Sequence, residues 1–94
     1  MTMAENKRGR SLALLRILFL ETSARRPMEA ADLLRRMAEE GFPLERKSLY
    51  KYIEAMNESE IAVRHRRAQR GLPGGYWYAG GWLDGTEPEK EEEP

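Results

Sequence analysis

Apolar residues recur with the 3.6-residue period of an amphipathic helix in three successive stretches of the chain. The first stretch covers residues 11–23, and Ser11 is well placed as its N-cap. The main apolar face of this predicted helix consists of Leu12, Leu14, Leu15, Leu18 and Phe19. Ile17 lies at the edge of that face and Leu20 on the opposite side, so we expect Leu20 to be exposed. Residues 1–10 are largely polar and are predicted to be a flexible N-terminus.

Two further helices follow, separated by proline and glycine. Pro27 ends the first helical region, because the residue before a proline avoids the α conformation. The second helix is predicted over 29–40, with an apolar face of Ala30, Leu33, Leu34, Met37 and Ala38. Gly41 then stands where a left-handed residue commonly ends a helix. The third helix is predicted over 45–57, with an inward stripe of Leu49, Tyr52, Ile53 and Met56.

The pattern changes from helix to strand after Glu60. Residues 61–65 alternate weakly and contain β-forming residues, and 76–78 are three aromatic residues that strongly favour a strand. The segment between them, 66–75, is rich in arginine and turn residues, which predicts a hairpin with a mobile basic tip. A very short strand near Met28 is also predicted. The order of helix, helix, helix, strand, strand is α+β and is typical of a winged helix-turn-helix with the hairpin as its wing.

Charge divides the chain into a basic part and an acidic tail, although its formal net charge is zero. Residues 1–83 carry fifteen Lys and Arg against ten Asp and Glu, whereas residues 84–94 carry one lysine against six acids. The tail has no apolar side chain, so we predict that it is disordered and that the folded domain covers 11–83. The tail is either a solubilising extension or a competitor for the basic surface.

The residue types needed for most catalytic sites are scarce. The chain has no cysteine and a single histidine, His65, for which a surface role is the simplest interpretation. Glycines 71, 74 and 75 are not followed by the Lys-Ser/Thr pair of a phosphate-binding loop. We therefore predict no enzyme activity, no cofactor and no metal. The apolar run 12–20 is too short to span a membrane and contains Arg16, so we expect a cytoplasmic protein.

Basic residues cluster at the two places where a winged helix contacts DNA. An α-helix fits the major groove, and cations in its first turns lie against phosphates and base edges. The first turns of the third helix contain Arg46, Lys47, Ser48, Tyr50 and Lys51. The hairpin contains Arg64, Arg66, Arg67 and Arg70, which we expect to contact the DNA backbone or an adjacent minor groove. Either cluster alone is compatible with an ordinary solvated surface, but their joint occurrence favours DNA binding.

Residues 12–83 resemble the N-terminal winged-helix domain of WYL-domain transcriptional regulators, often called DeoR-like. The similar stretches are LALLRILFLE at 12–21, RRPMEAADLLRRMAEEGF at 25–42, ERKSLYKYIEAM at 45–56 and GYWYAGGWL at 75–83. The resemblance implies a DNA-binding role for Arg46, Lys47, Ser48, Tyr50 and Lys51. Two positions depart from the family pattern: Glu45, where a better cap is common, and Tyr52, where an acid is common. The effector domain that names the family has no counterpart here, so ligand sensing is not implied, and the chain is either a stand-alone binder or a fragment.

These observations predict a regulator that binds double-stranded DNA with sequence preference. Because one such module reads few base pairs, we expect a homodimer on two half-sites, with Leu20 and Ile17 as candidate interface residues. Two alternatives remain open at this point. The same fold would also serve as a protein–protein adaptor, which Glu54 and Glu58 on the outer face of the third helix favour. The second alternative is RNA binding through the arginine-rich loop and the aromatic residues.

Overall fold

The computed structural model describes residues 3–81, with side chains from residue 9 onward. Its elements are α1 (Met3–Glu21), α2 (Ala30–Glu39), α3 (Arg46–Glu58), β1 (Ile61–Arg66) and β2 (Gly75–Gly81). The two strands pair as an antiparallel hairpin. This is the α+β winged-helix layout that the sequence predicts. The predicted acidic tail over 84–94 lies outside the described residues.

The first helix starts earlier than predicted. It begins at Met3 rather than after Ser11, so Ser11 lies inside the helix and residues 3–10 are helical rather than a flexible N-terminus. Within the described part of the chain, no helix combines the length and the apolar character that crossing a bilayer requires.

The buried face of α1 also differs from the predicted one. Leu12 is 67% exposed and Phe19 is 39% exposed, whereas Ile17 is completely buried. The inward face consists of Ala13, Leu14, Ile17 and Leu18. Apolar residues surround the helix between 12 and 20, so their spacing alone does not select one face. Contacts of α1 with α2 and β2 decide which side is buried.

The end of α2 sets the direction of the chain toward α3. Gly41 has a φ of 90° and donates its N–H to the carbonyl of Ala38 at 3.0 Å. The N–H of Phe42 donates to the carbonyl of Met37 at 2.8 Å. These two bonds form a Schellman motif, which the glycine makes possible because it adopts positive φ at little steric cost. As a result, Phe42 packs half-buried against the core.

The inner face of α3 is anchored to the core and to the hairpin. Leu49, Ile53 and Met56 are buried, as the sequence predicts. At the end of the helix, the side chain of Asn57 accepts a hydrogen bond from the N–H of Val63 at 2.9 Å and donates to its carbonyl at 3.2 Å. The helix is therefore fixed in rotation by its buried stripe and at its C-terminal end by β1.

An isolated bridge pairs Met28 with the free edge of β2. Met28 and Tyr76 exchange two backbone hydrogen bonds, each 2.8 Å long, which confirms the short strand predicted near Met28. The close approach depends on Gly75, which has a φ of 137°. A Cβ atom at this position would lie 2.6 Å from the carbonyl carbon of Met28.

The ends of α1 and α2 are joined by ion pairs that centre on Arg36. One terminal nitrogen, Nη2, lies 2.7 Å from Oε2 of Glu21, and the other, Nη1, lies 2.8 Å from Oε1 of Glu39. The hydrogen bonds from Arg36 hold the pKa of both carboxyl groups below their ordinary value. The pair with Glu21 is the one that connects two different helices.

We expect this contact to make the stability of the fold depend on pH under acidic conditions. A carboxyl group whose pKa is lowered by folding stabilises the fold above its unfolded pKa, ordinarily 4.5, and that contribution is lost as the pH falls through the lower folded pKa. Thermal unfolding followed by circular dichroism should show a smaller loss of Tm below about pH 4.5 in Glu21→Gln than in the parent chain. Glu54→Gln, at an exposed position on α3, is the control. Identical pH profiles for Glu21→Gln and the parent chain would contradict the assignment.

Candidate nucleic-acid interface

The outer face of α3 changes sign halfway along the helix. Lys47 and Lys51 lie one turn apart on the side opposite the buried Leu49, and both are exposed. Glu54 and Glu58 continue the same row into the second half of the helix and are also exposed. A DNA backbone would therefore be attracted to the first two turns of α3 and repelled by its later turns.

The remaining predicted residues of α3 flank this row. Arg46 is exposed, Tyr50 is 43% exposed and Ser48 is half-buried. A nitrogen of the Arg46 guanidinium, Nη1, lies 3.4 Å from the hydroxyl oxygen of Tyr50, to which it donates a hydrogen bond. The five residues predicted on α3 thus form one continuous surface around its N-terminal half, which we call the α3 face: Arg46, Lys47, Ser48, Tyr50 and Lys51.

The N-terminus of α3 has no side-chain cap. Glu45 occupies the N-cap position in an extended conformation, and its side chain makes no capping hydrogen bond. No acidic residue lies in the first turn, so the backbone N–H groups there retain their partial positive charge. An open cleft of about 500 Å³ lies beside this end, lined by Arg10, Pro43, Leu44, Glu45 and Ser48. Arg10 is a cation that sequence reasoning did not assign to the site, because it belongs to a segment predicted to be flexible.

Aromatic rings connect the α3 face to the hairpin. The rings of Tyr50 and Tyr76 have centroids 6.5 Å apart, and those of Tyr76 and His65 are 4.5 Å apart. Burial is the main cause of a raised pKa at Tyr76. The exposed His65 therefore lies at the junction between α3 and the wing, a position that the sequence did not indicate.

The tip of the wing presents two of the predicted arginines. Arg67 and Arg70 are both exposed. Arg70 lies in a turn that is closed by two backbone hydrogen bonds between Gln69 and Leu72, of 3.0 and 2.9 Å, and that contains Gly71 with a φ of 80°. Arg67 directly follows the last residue of β1, so both cations lie beyond the ends of the strands.

Arg66 has a different role from the predicted DNA contact. Its Nε donates to the carbonyl of Pro73 at 3.0 Å, and its Nη2 donates to the carbonyl of Ala24 at 2.7 Å. The guanidinium carbon also lies 5.1 Å from the centre of the Trp77 ring, within cation–π range. These contacts tie the base of the wing to the link between α1 and α2, so we regard Arg66 as a structural residue.

The two faces of the hairpin explain this division among the arginines. Val63, Tyr76 and Tyr78 face the helices and pack against the main core. Trp77 is also buried, in a second cluster with Ala62 and Ala79 that packs near Ala24 on the outer face. Arg64 is half-buried on this outer face, two residues before Arg66. The structure therefore brings Arg67 and Arg70, but not Arg64 and Arg66, to the exposed end of the wing.

Comparisons with protein-family models, with curated proteins and with solved structures found no match to this chain. The candidate interface is therefore defined by its own geometry. It consists of the α3 face, with an uncapped helix end on one side and the two arginines of the wing tip on the other. The arrangement offers cations and hydrogen-bond donors to a polyanion, with Tyr50 as an exposed ring among them.

Proposed function

We propose that this protein binds double-stranded DNA with sequence preference and acts as a transcriptional regulator in the cytoplasm. The observation that carries the proposal is the exposure of Lys47 and Lys51 on the side of α3 opposite its buried stripe. A helix with this distribution lies in the major groove with its N-terminal half against the duplex. Glu54 and Glu58 then lie where the helix rises away from the DNA.

The residues of the α3 face contribute to affinity or to sequence preference, and Lys51 contributes to both. Lys47 and Lys51 neutralise phosphates, and contacts of this kind supply much of the affinity of DNA-binding proteins. Arg46, Ser48, Tyr50 and Lys51 carry the donors, acceptors and ring that read base edges. The N–H groups of the uncapped first turn of α3 offer a further site for a backbone phosphate.

The wing contributes contacts that do not depend on sequence. Arg67 and Arg70 at its tip lie against the backbone beside the groove that α3 occupies, whereas Arg66 holds the base of the wing in place. The resemblance of residues 12–83 to the DNA-binding domain of WYL-domain regulators supports the same assignment. Two copies on two half-sites extend the sequence that is read, because one module covers few base pairs.

Selection of bound duplexes from a random pool tests the proposal directly. We expect enrichment of a consensus sequence arranged as two related half-sites, and a mobility shift with random duplexes that weakens as salt is raised. Competition with single-stranded RNA separates a duplex reader from an RNA binder. The absence of any salt-sensitive shift at low ionic strength would reject DNA binding and favour the adaptor role.

A further inference from the structure

The solvent side of α1 carries three apolar side chains between residues 12 and 20. Leu12 is 67% exposed and Leu20 is 68% exposed, and the ring of Phe19 is 39% exposed beside them. The opposite side of the same helix is already buried in the core, with Leu14, Ile17 and Leu18 completely inaccessible. Within residues 9–81, the packing of α1 leaves Leu12 and Leu20 largely exposed.

The surface between Leu12 and Leu20 carries a charge at its centre. Between Leu12 and Leu20 the sequence contains one charged residue, Arg16, which lies midway between the two leucines. Arg16 forms an ion pair with Glu40 at the end of α2, and the two side chains are 57% and 27% exposed. We call the surface formed by Leu12, Arg16, Phe19 and Leu20 the α1 stripe. Its central charge has a partner of opposite sign within the same chain.

We propose that the α1 stripe binds the same stripe of a second copy, with the two helices antiparallel and a two-fold axis at Arg16. This inference rests on the proposed function, because binding to two half-sites on DNA is the reason to expect two copies. It replaces the surface expected from sequence, because Ile17 is buried and is not available to a partner.

The spacing of the stripe is what makes it complementary to itself. In an interface with a two-fold axis, a contact between residue i of one copy and residue j of the other is repeated as a contact between j and i, and only a residue on the axis meets its own counterpart. Leu12 and Leu20 are each four residues from Arg16, so an antiparallel pair places Leu12 of each copy against the partner's Leu20. Four residues correspond to about 6 Å along a helix, so both leucine contacts lie close to the axis.

The charge at the axis is balanced within each copy. An axis at Arg16 brings the two Arg16 side chains together, and each is already paired with Glu40 of its own chain. The interface therefore does not place two unneutralised charges of the same sign against each other.

The exposed area of the stripe predicts a weak dimer. A stable interface buries at least about 1,200 Å² in total, and three exposed apolar side chains on each copy supply only part of this area. Phe19 is also partly engaged within its own chain, since its ring meets that of Tyr78 edge-on at 5.0 Å. We therefore expect pairing to be transient in free solution and to strengthen when two copies bind one duplex, where their effective concentration is high.

Disulfide trapping in the absence of DNA tests this arrangement, and the chain suits it because it has no native cysteine. Leu12→Cys and Leu20→Cys are prepared separately, one of them with a short tag, then mixed and oxidised mildly. The tag gives the mixed dimer its own mobility on a non-reducing gel. Both positions are exposed, so we expect circular dichroism to show the parent fold in each variant. Ala31→Cys, at an exposed position on α2, measures random collision.

The expected result is at least about tenfold more mixed dimer from the Leu12→Cys and Leu20→Cys pair than from either variant paired with Ala31→Cys, because only the first pair is held together. Each variant alone should link little, because two copies of the same position lie about 12 Å apart along an antiparallel pair, beyond the roughly 7 Å limit for a disulfide. Strong linking of either variant with itself overturns the antiparallel arrangement. Equal, low yields in all mixtures overturn the dimer. Because no DNA is present, neither of these results bears on the proposed DNA binding, which the selection of bound duplexes tests separately.

Discussion

Replacing Lys47 and Lys51 together by alanine is expected to weaken binding to duplex DNA by about tenfold or more at low salt. The slope of the logarithm of the binding constant against the logarithm of salt concentration should fall by about 2, because two phosphate contacts are removed. Both side chains point away from the core, so the fold should be unaffected. Fluorescence anisotropy with a labelled duplex at several salt concentrations measures both quantities.

A control for lost charge is available on the neighbouring helix. Arg35 is exposed on α2 and pairs with Asp32 and Glu39 of the same helix, at 3.4 and 3.1 Å. Arg35→Ala removes a cation without touching the α3 face, so it should leave the salt dependence almost unchanged. Parent-like affinity and slope in the lysine double variant would falsify the proposed docking of α3.

Replacing Gly75 by alanine is expected to lower the free energy of unfolding by about 2–5 kcal/mol, from backbone strain together with overpacking. The φ of 137° is a conformation that side chains with a Cβ rarely adopt. The added carbon would also lie 2.6 to 2.8 Å from three backbone atoms of Met28, which cannot rotate away as a side chain does. Urea unfolding followed by tryptophan fluorescence measures the loss.

Gly71 provides the matched glycine for this experiment. It also has a positive φ, of 80°, but a Cβ there would meet nothing within 4 Å. We expect Gly71→Ala to cost only about 1 kcal/mol, from backbone strain alone. Equal losses in the two variants would show that the close approach of Met28 contributes nothing. A larger loss at Gly75 would show that the bridge between Met28 and Tyr76 supports the wing.

The parts of the fold that the sequence predicts are those with a clear period or a specific local signal. In α2 and α3 the polar and apolar residues separate onto opposite faces, so most of the buried positions follow from the spacing, although the predicted Ala38 is exposed. Gly41 marks the end of α2 because only a residue tolerant of positive φ fits there. The first helix lacks such a separation, so which side it buries depends on the elements packed against it.

In the candidate site, too, the sequence predicts the features that depend on local spacing and misses those that depend on long-range contacts. The orientation of Lys47 and Lys51 follows from the stripe of α3, which is local information. Arg66 could not be separated from Arg67 by sequence, because the carbonyl it reaches belongs to Ala24, 42 positions away along the chain. The position of Arg10 beside the start of α3 likewise depends on how α1 and α3 pack. Long-range contacts of this kind leave no signal in the spacing of residues.

The missing cap at Glu45 has opposite effects on the stability of the free protein and on its affinity for a phosphate ligand. An aspartate or serine there would satisfy a backbone N–H of the first turn of α3 and would stabilise the free domain by about 1 kcal/mol. The same N–H would then be occupied before a phosphate arrived, so part of that gain would be subtracted from the binding energy. If α3 binds a phosphate as proposed, Glu45→Ser would thus raise the thermal stability of the free protein and lower its affinity for DNA.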